Sequence, residues 1–137
     1  MEPAPDIVKA LLFFYDRRSA GDADAFDRVI SRENRLHIGT GPGEWLEDVD
    51  RLRRGFSGFP LTLEAGTHPQ AWAEGTMGWA ADEPIMTFGE VRIETRLLAV
   101  FRSEDGAWKM VAAHFSAGVP DEEVTDLQRR WASAPPA

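Results

Sequence analysis

The chain has 137 residues, 43% hydrophobic and 28% charged, with a formal net charge of −8 and no cysteine. That length and balance fit one globular domain with a core of its own, and the missing thiols exclude disulfides, thiolate metal sites and cysteine nucleophiles. The acidic balance opposes binding to a phosphate backbone, which needs clustered Lys and Arg, so Arg51, Arg53 and Arg54, and Arg92 and Arg96, read as solvated faces and no nucleic-acid partner is expected.

Met1 to Asp6 is acidic and proline-rich and lacks the basic and apolar regions of a signal peptide. The apolar run Ala10 to Tyr15 is too short to span a bilayer. A cytoplasmic protein with no membrane partner is expected. Asp6 to Ser19 then reads as a helix capped by Asp6, with Ile7, Ala10, Leu11 and Phe14 on one face, widened by Val8, Leu12 and Tyr15. Ala20-Gly21 ends it, and Asp22 caps a short second helix that buries Phe26, Val29 and Ile30. Arg35 to Gly39 is extended, and Gly39 to Gly43 is a loop by composition. Glu44 to Arg54 reads as a third helix with Trp45, Leu46, Val49 and Leu52 inward, stopped by Gly55 and Gly58.

From Phe59 the period becomes two. Leu61, Leu63 and Ala65 alternate with polar residues, and Ala71 to Ala80 is a strand holding Trp72, Met77 and Trp79. Asp82 to Thr87 reads as a loop. Glu90 to Arg102 alternates throughout, Glu104-Asp105-Gly106 signals a hairpin, and Ala107 to Ala117 is the partner strand. Straight alternation puts Trp108, Met110, Ala112, His114 and Ser116 on one face of that strand. Helices first and strands afterwards, with no room for helices between the later strands, predict α+β with a mainly antiparallel sheet. Pro120 to Arg130 is a helix candidate, and Ala132 to Pro136 is read as frayed.

The apolar first helix running into Phe14-Tyr15-Asp16-Arg17-Arg18-Ser19-Ala20-Gly21-Asp22-Ala23-Asp24-Ala25-Phe26, followed by a long meander, resembles the SnoaL-like branch of the NTF2-like superfamily. Ile38 to Trp45 and Trp108 to Ser116 resemble its SnoaL-3 type. The resemblance implies a cone over residues 5–120, in which a curved sheet and three N-terminal helices enclose a cavity at the open end, with 121–137 as a tail. It also implies homodimers through the outer sheet face. It names no cofactor. The superfamily holds isomerases, cyclases, dehydratases and noncatalytic modules, so fold leaves function open.

The isomerase branch uses a helix tyrosine and two acidic residues. In that comparison the tyrosine position carries Phe14, the base position falls at His37 to Ile38, and the oxyanion acid falls near Ala99, so steroid isomerisation is rejected. For proton transfer of another kind, His37 and His114 are the candidate catalytic residues, because a neutral imidazole moves protons near neutrality. Each is weighed against a buried histidine satisfied by one hydrogen bond. Tyr15, Trp45, Trp79 and Met86 are the candidate ligand-binding residues, Met86 as a lid contact. The scattered His37, His68 and His114 give no metal site. Glu44 and Asp48 read as a solvated helix face, and the glycine-rich loop before Glu44 lacks the pattern of a phosphate loop. The expected function is binding of a small apolar or cyclic molecule, with a noncatalytic dimerisation module, or an isomerase, cyclase or dehydratase using histidine, as rivals. Whether the protein is an enzyme stays open.

Overall fold

The computed structural model describes residues 1–33 and 36–133. In chain order these form β1 (Glu2–Pro3), α1 (Pro5–Ala20), a 3₁₀ turn at Ala23–Ala25, α2 (Phe26–Val29), β2 (Leu36–Ile38), β3 (Trp45–Leu46), α3 (Val49–Gly58), β4 (Thr62–Glu64), β5 (Gln70–Glu74), β6 (Met77–Asp82), β7 (Ile85–Phe88), β8 (Val91–Glu104), β9 (Ala107–Ala117) and α4 (Asp121–Ser133). The sheet runs β1-β5-β6-β8-β9-β2-β3, and β4 joins through β7, which pairs with β8. Every pairing between these strands is antiparallel except β2 with β9. The α+β class and the helices-then-meander order are those read from the sequence, with α4 as a fourth helix.

The first helix begins at Pro5, not with a cap from Asp6. Ala4 occupies the cap position without a side-chain bond, and Pro5 sits where a missing N–H costs nothing. Ile7, Leu11 and Phe14 form its buried stripe, and Gly21 closes it in the left-handed conformation at φ 63°. Leu12 and Phe13 are exposed rather than packed. Asp22 does cap the next turn, accepting from the Asp24 N–H.

Cross-strand rows explain how α1 reaches the sheet. Ala71, Ala80, Ala99 and Ala113 stand in register across β5, β6, β8 and β9 and are all buried. Four small side chains in a row make a shallow groove, and α1 packs on β4, β5, β6 and β9 around it. The row continues through His37 on β2 to Leu46 on β3.

Three readings of local structure change. Trp45 and Leu46 form a strand against Ile38 and His37, because Asp48 caps α3 by accepting the Asp50 N–H and so starts that helix at Val49. The stretch from Ala71 to Ala80 is two strands, folded back at Gly75 with φ 62°. Residues Ile85 to Phe88 form a strand rather than a loop, bonded on one edge to β4 and on the other to β8.

The fourth difference matters most for the site. Val100 pairs with Ala112 and Phe101 with Met110, which leaves Val111 as an extra residue on β9. This β-bulge reverses the alternation. Met110, Ala113 and Phe115 face the core, and His114 faces out and is exposed. The hairpin joining β8 to β9 turns at Asp105 and Gly106, both at positive φ, as the sequence signal requires.

At Gly78 the helix approaches the sheet closely. A Cβ there would meet the Ile7 side chain and stand 2.6 Å from the Trp72 carbonyl oxygen. Gly78→Ala is therefore expected to cost about 1–3 kcal/mol of stability through overpacking, measured as a lower urea midpoint. An unchanged midpoint would count against this packing.

Candidate functional site

Helices α1 and α3 and strands β2, β3, β4, β7 and β9 line a pocket of about 230 Å³. Its wall is mostly apolar. Phe14 comes from α1, Leu52 and Phe56 from α3, Leu63 from β4, Met86 from β7 and Phe115 from β9. Two of these rings pack with a third behind the wall: Phe56 lies 6.2 Å from Phe14 and 5.5 Å, edge-on, from Phe26.

Two nitrogen-bearing side chains break this surface. His37 is the central residue of β2, so the pleat turns it inward between Leu36 and Ile38. Its ring lies 6.4 Å from Phe115, nearly parallel, and 6.5 Å from Phe14. Arg18 lies one helical turn beyond Phe14 and also lines the pocket. The spacing Ile7, Leu11, Phe14, Arg18 continues one stripe, and its last member is a cation where an apolar residue would be expected. Among the described residues neither Arg18 Nη1 nor His37 Nδ1 has a hydrogen-bond partner, although both atoms are buried.

Burial shifts both groups toward the neutral form. It lowers His37 from the ordinary 6.5 to about 4, and the Arg18 cation pushes the same way. The imidazole is therefore neutral at pH 7. Burial also lowers Arg18 from the ordinary arginine value, yet a guanidinium remains a cation in proteins.

The mouth is built by the glycine-rich loop. The Gly39 N–H donates to the Glu44 carbonyl at 2.8 Å, and the Glu44 N–H donates to the Gly41 carbonyl at 3.1 Å. The Glu44 carboxylate folds back and accepts the Gly41 N–H at 2.6 Å. A Cβ on Gly39 would lie 2.7 Å from that of Glu44, so the turn needs glycine there. Glu44 and Thr40 thus stand at the rim rather than on a helix, and Asp48 is spent on the α3 cap.

Of the residues singled out from sequence, His37 and Met86 lie on the pocket wall. The others are placed elsewhere, each for a local reason. Tyr15 is buried beside the pocket and donates to Asp82 Oδ2 at 2.9 Å, an oxygen that also accepts the Gly66 N–H. Burial and the Asp82 carboxylate both raise the Tyr15 phenol, which stays protonated and ties α1 to the end of β6. Trp45 is 56% exposed, because its pairing with Ile38 puts it on the face opposite His37. Trp79 alternates outward on β6, 6.4 Å from Trp72. His114 is turned out by the bulge. The positions compared with the isomerase triad separate as well: Phe14 and His37 line the pocket, and Ala99 lies in the closed alanine row. Arg18 was missed, and the stripe at 7, 11, 14 and 18 was the signal that could have found it.

The buried imidazole makes stability depend on pH. Its folded value lies below its unfolded value, so the unfolded chain takes up the proton first as pH falls. The contribution of His37 is complete above pH 6.5 and is lost as the pH falls toward about 4. Between about pH 7.5 and pH 5 the wild type is expected to lose about 2 kcal/mol more than His37→Leu in urea denaturation. Parallel pH profiles for the two proteins would contradict a buried neutral His37.

Solved structures with this fold are numerous. An NTF2-like protein of unknown function from Pseudomonas putida KT2440 superposes with a TM-score of 0.70 at 12% identity, over 86% of this chain and 88% of its own. A putative dehydratase from the NTF2-like family of Streptomyces avermitilis gives 0.70 at 15% identity, over 85% and 96%. The association domain of C. elegans CaMKII gives 0.64 at 20% identity, over 82% and 94%. No curated protein matches the sequence. These identities carry the fold alone, but the model of the SnoaL-like domain family matches residues 7–121. The chain therefore belongs to the SnoaL-like domain family and has the NTF2-like fold.

Proposed function

We propose that this protein binds a small, largely apolar molecule in the pocket between α1, α3 and the sheet. The observation behind this reading is the wall itself: aromatic and aliphatic side chains from six elements face an open space, with only a few polar groups among them. Such a surface, concave and apolar with sparse polar anchors, is the ordinary form of a small-molecule site. An apolar cavity of about 150 Å³ takes up benzene, so about 230 Å³ accommodates a one-ring molecule with a short substituent.

If the site also performs histidine proton transfer, that role falls to His37, since His114 is on the other face. A neutral imidazole with a free nitrogen can accept or relay a proton. Its lowered value makes it a weak base, which favours hydrogen bonding to a ligand over general-base chemistry.

Titration with indole, cyclohexanone and benzyl alcohol, followed by methyl NMR, tests the reading. Shifts are expected at Leu52, Leu61, Leu63 and Met86, and Met86→Trp should fill the space and weaken binding. The absence of shifts with every compound would overturn the proposal.

A second reading concerns the outer sheet face and is compatible with the first. Trp72, Trp79, Val100, Ala112 and Leu36 stand in one cross-strand row, and Ala81, Leu98, His114, Ile38 and Trp45 in the next. Leu98 is 54% exposed in the second row, between Ala81 and His114. A contiguous apolar face of this kind marks an interface, and we assign it to a second copy of the chain. Sedimentation equilibrium should give a dimer, and Leu98→Glu should give a monomer that remains folded. A wild type that stays monomeric at every concentration would sink this reading.

A further inference from the structure

Among the described residues, the charged side chains that are not exposed each have an ion-pair or hydrogen-bond partner except Arg18, which lies in the pocket, although one oxygen each of Asp82 and Glu104 is buried without a hydrogen bond. Arg17 pairs with Asp16 and Asp22 at 2.7 and 2.9 Å, and Arg53 with Asp27 at 2.9 Å. The buried Glu104 accepts from Ser31 and lies 3.2 Å from the Arg102 guanidinium. The buried Asp82 accepts from Tyr15 and Gly66. Arg18 has no carboxylate among the described residues, and its Nη1 is both buried and without a hydrogen-bond partner. His37, 8% exposed, also lines the pocket and holds a second buried nitrogen without a hydrogen-bond partner, Nδ1.

We propose that the pocket is selective for a monoanionic carboxylic acid, whose apolar body fills the cavity while its carboxylate is held by Arg18 and receives a hydrogen bond from His37. The proposal rests on the reading of the cavity as a ligand site and adds the chemical class of the ligand.

The chemistry of the two side chains leads there. A guanidinium carries donors only, in a planar fork that matches the two oxygens of a carboxylate. A neutral imidazole has one N–H to donate. In a water-poor pocket such charge-assisted bonds are stronger than in solution. Pocket size adds a constraint, since one ring with a short acidic arm fills the space described above. Charge adds another. The charged groups on the wall are Arg18 and Glu44, with His37 neutral. One cation beside one rim carboxylate suits a single negative charge and disfavours a phosphate dianion. Glu44 is exposed, so solvent weakens its repulsion, and salt screens it at separations beyond about 8 Å. Its carboxylate is also occupied by the Gly41 N–H.

The test compares phenylacetate, phenylacetamide and phenyl phosphate by calorimetry on the full chain at pH 7.5. Phenylacetate should bind about tenfold or more tighter than the isosteric amide, because a hydrogen bond to a charged partner exceeds one to a neutral partner by that order. Phenyl phosphate should bind more weakly than phenylacetate. Arg18→Gln should bring the ratio of acid to amide affinity close to one. Equal affinity for acid and amide in the wild type, or a preference for the amide or the phosphate, overturns the selectivity and leaves the cavity reading standing. Binding of none of the three overturns both. The wild-type comparison needs no variant, so it decides the matter even if Arg18→Gln fails to fold.

Discussion

Everything at the site depends on how the first helix is buried. Ile7, Leu11 and Phe14 lie along one stripe of α1 and sit over a row of four buried alanines from β5, β6, β8 and β9. Small residues below and large ones above allow close approach, and Gly78 extends that approach toward the N-terminal end. The stripe then reaches Arg18, where close packing stops and the pocket begins. Burying a polar group without a partner costs about 1–3 kcal/mol by protein mutational measures. The rest of the helix is packed firmly enough to hold Arg18 at that place. The pocket is therefore a consequence of where the apolar stripe runs out.

The same logic explains the second nitrogen. The row that begins with four alanines ends in His37 and Leu46. A fifth small residue at position 37 would leave the inner end of the pocket wider, and a larger apolar one would line it with carbon alone. The imidazole fills the position with a flat ring stacked on Phe115 and adds a polar edge. Burial beside a cation then keeps that ring uncharged at neutral pH. The site has one fixed charge from the helix and one neutral polar group from the sheet, both set by backbone periodicity.

Much of this was legible in the sequence. The 3.6-residue stripe of α1, the Asp22 cap, the Asp105-Gly106 hairpin and the long alternation of β8 each follow from a local rule, and each is found. The strand β3 was harder, because two residues carry no period, although Asp48 was a cap signal within reach. The bulge at Val111 was not legible. Met110-Val111-Ala112-Ala113 is an apolar run with no alternation, so its residues do not say which of them is extra, and the pairing of β9 with β8 sets it. One unpaired residue moved His114 from the expected pocket to the outer face, while the three-residue β2 kept His37 inside.

That displacement has a consequence for how one sheet can carry two surfaces. Strands β2 and β9 contribute His37 and Phe115 to the pocket and Ile38 and His114 to the outer face. Adjacent residues on one strand cannot shift independently, because a slip of one residue exchanges the faces. A second copy of the chain docked on the outer face would hold β2 and β9 in register. The ring of His37 and the ring of Phe115 would be held with them. Conversely, a ligand seated against these two rings restrains the same strands from inside. The two proposed surfaces are thus joined through the backbone of two paired strands, and the parallel pairing of β2 with β9 is where that coupling passes.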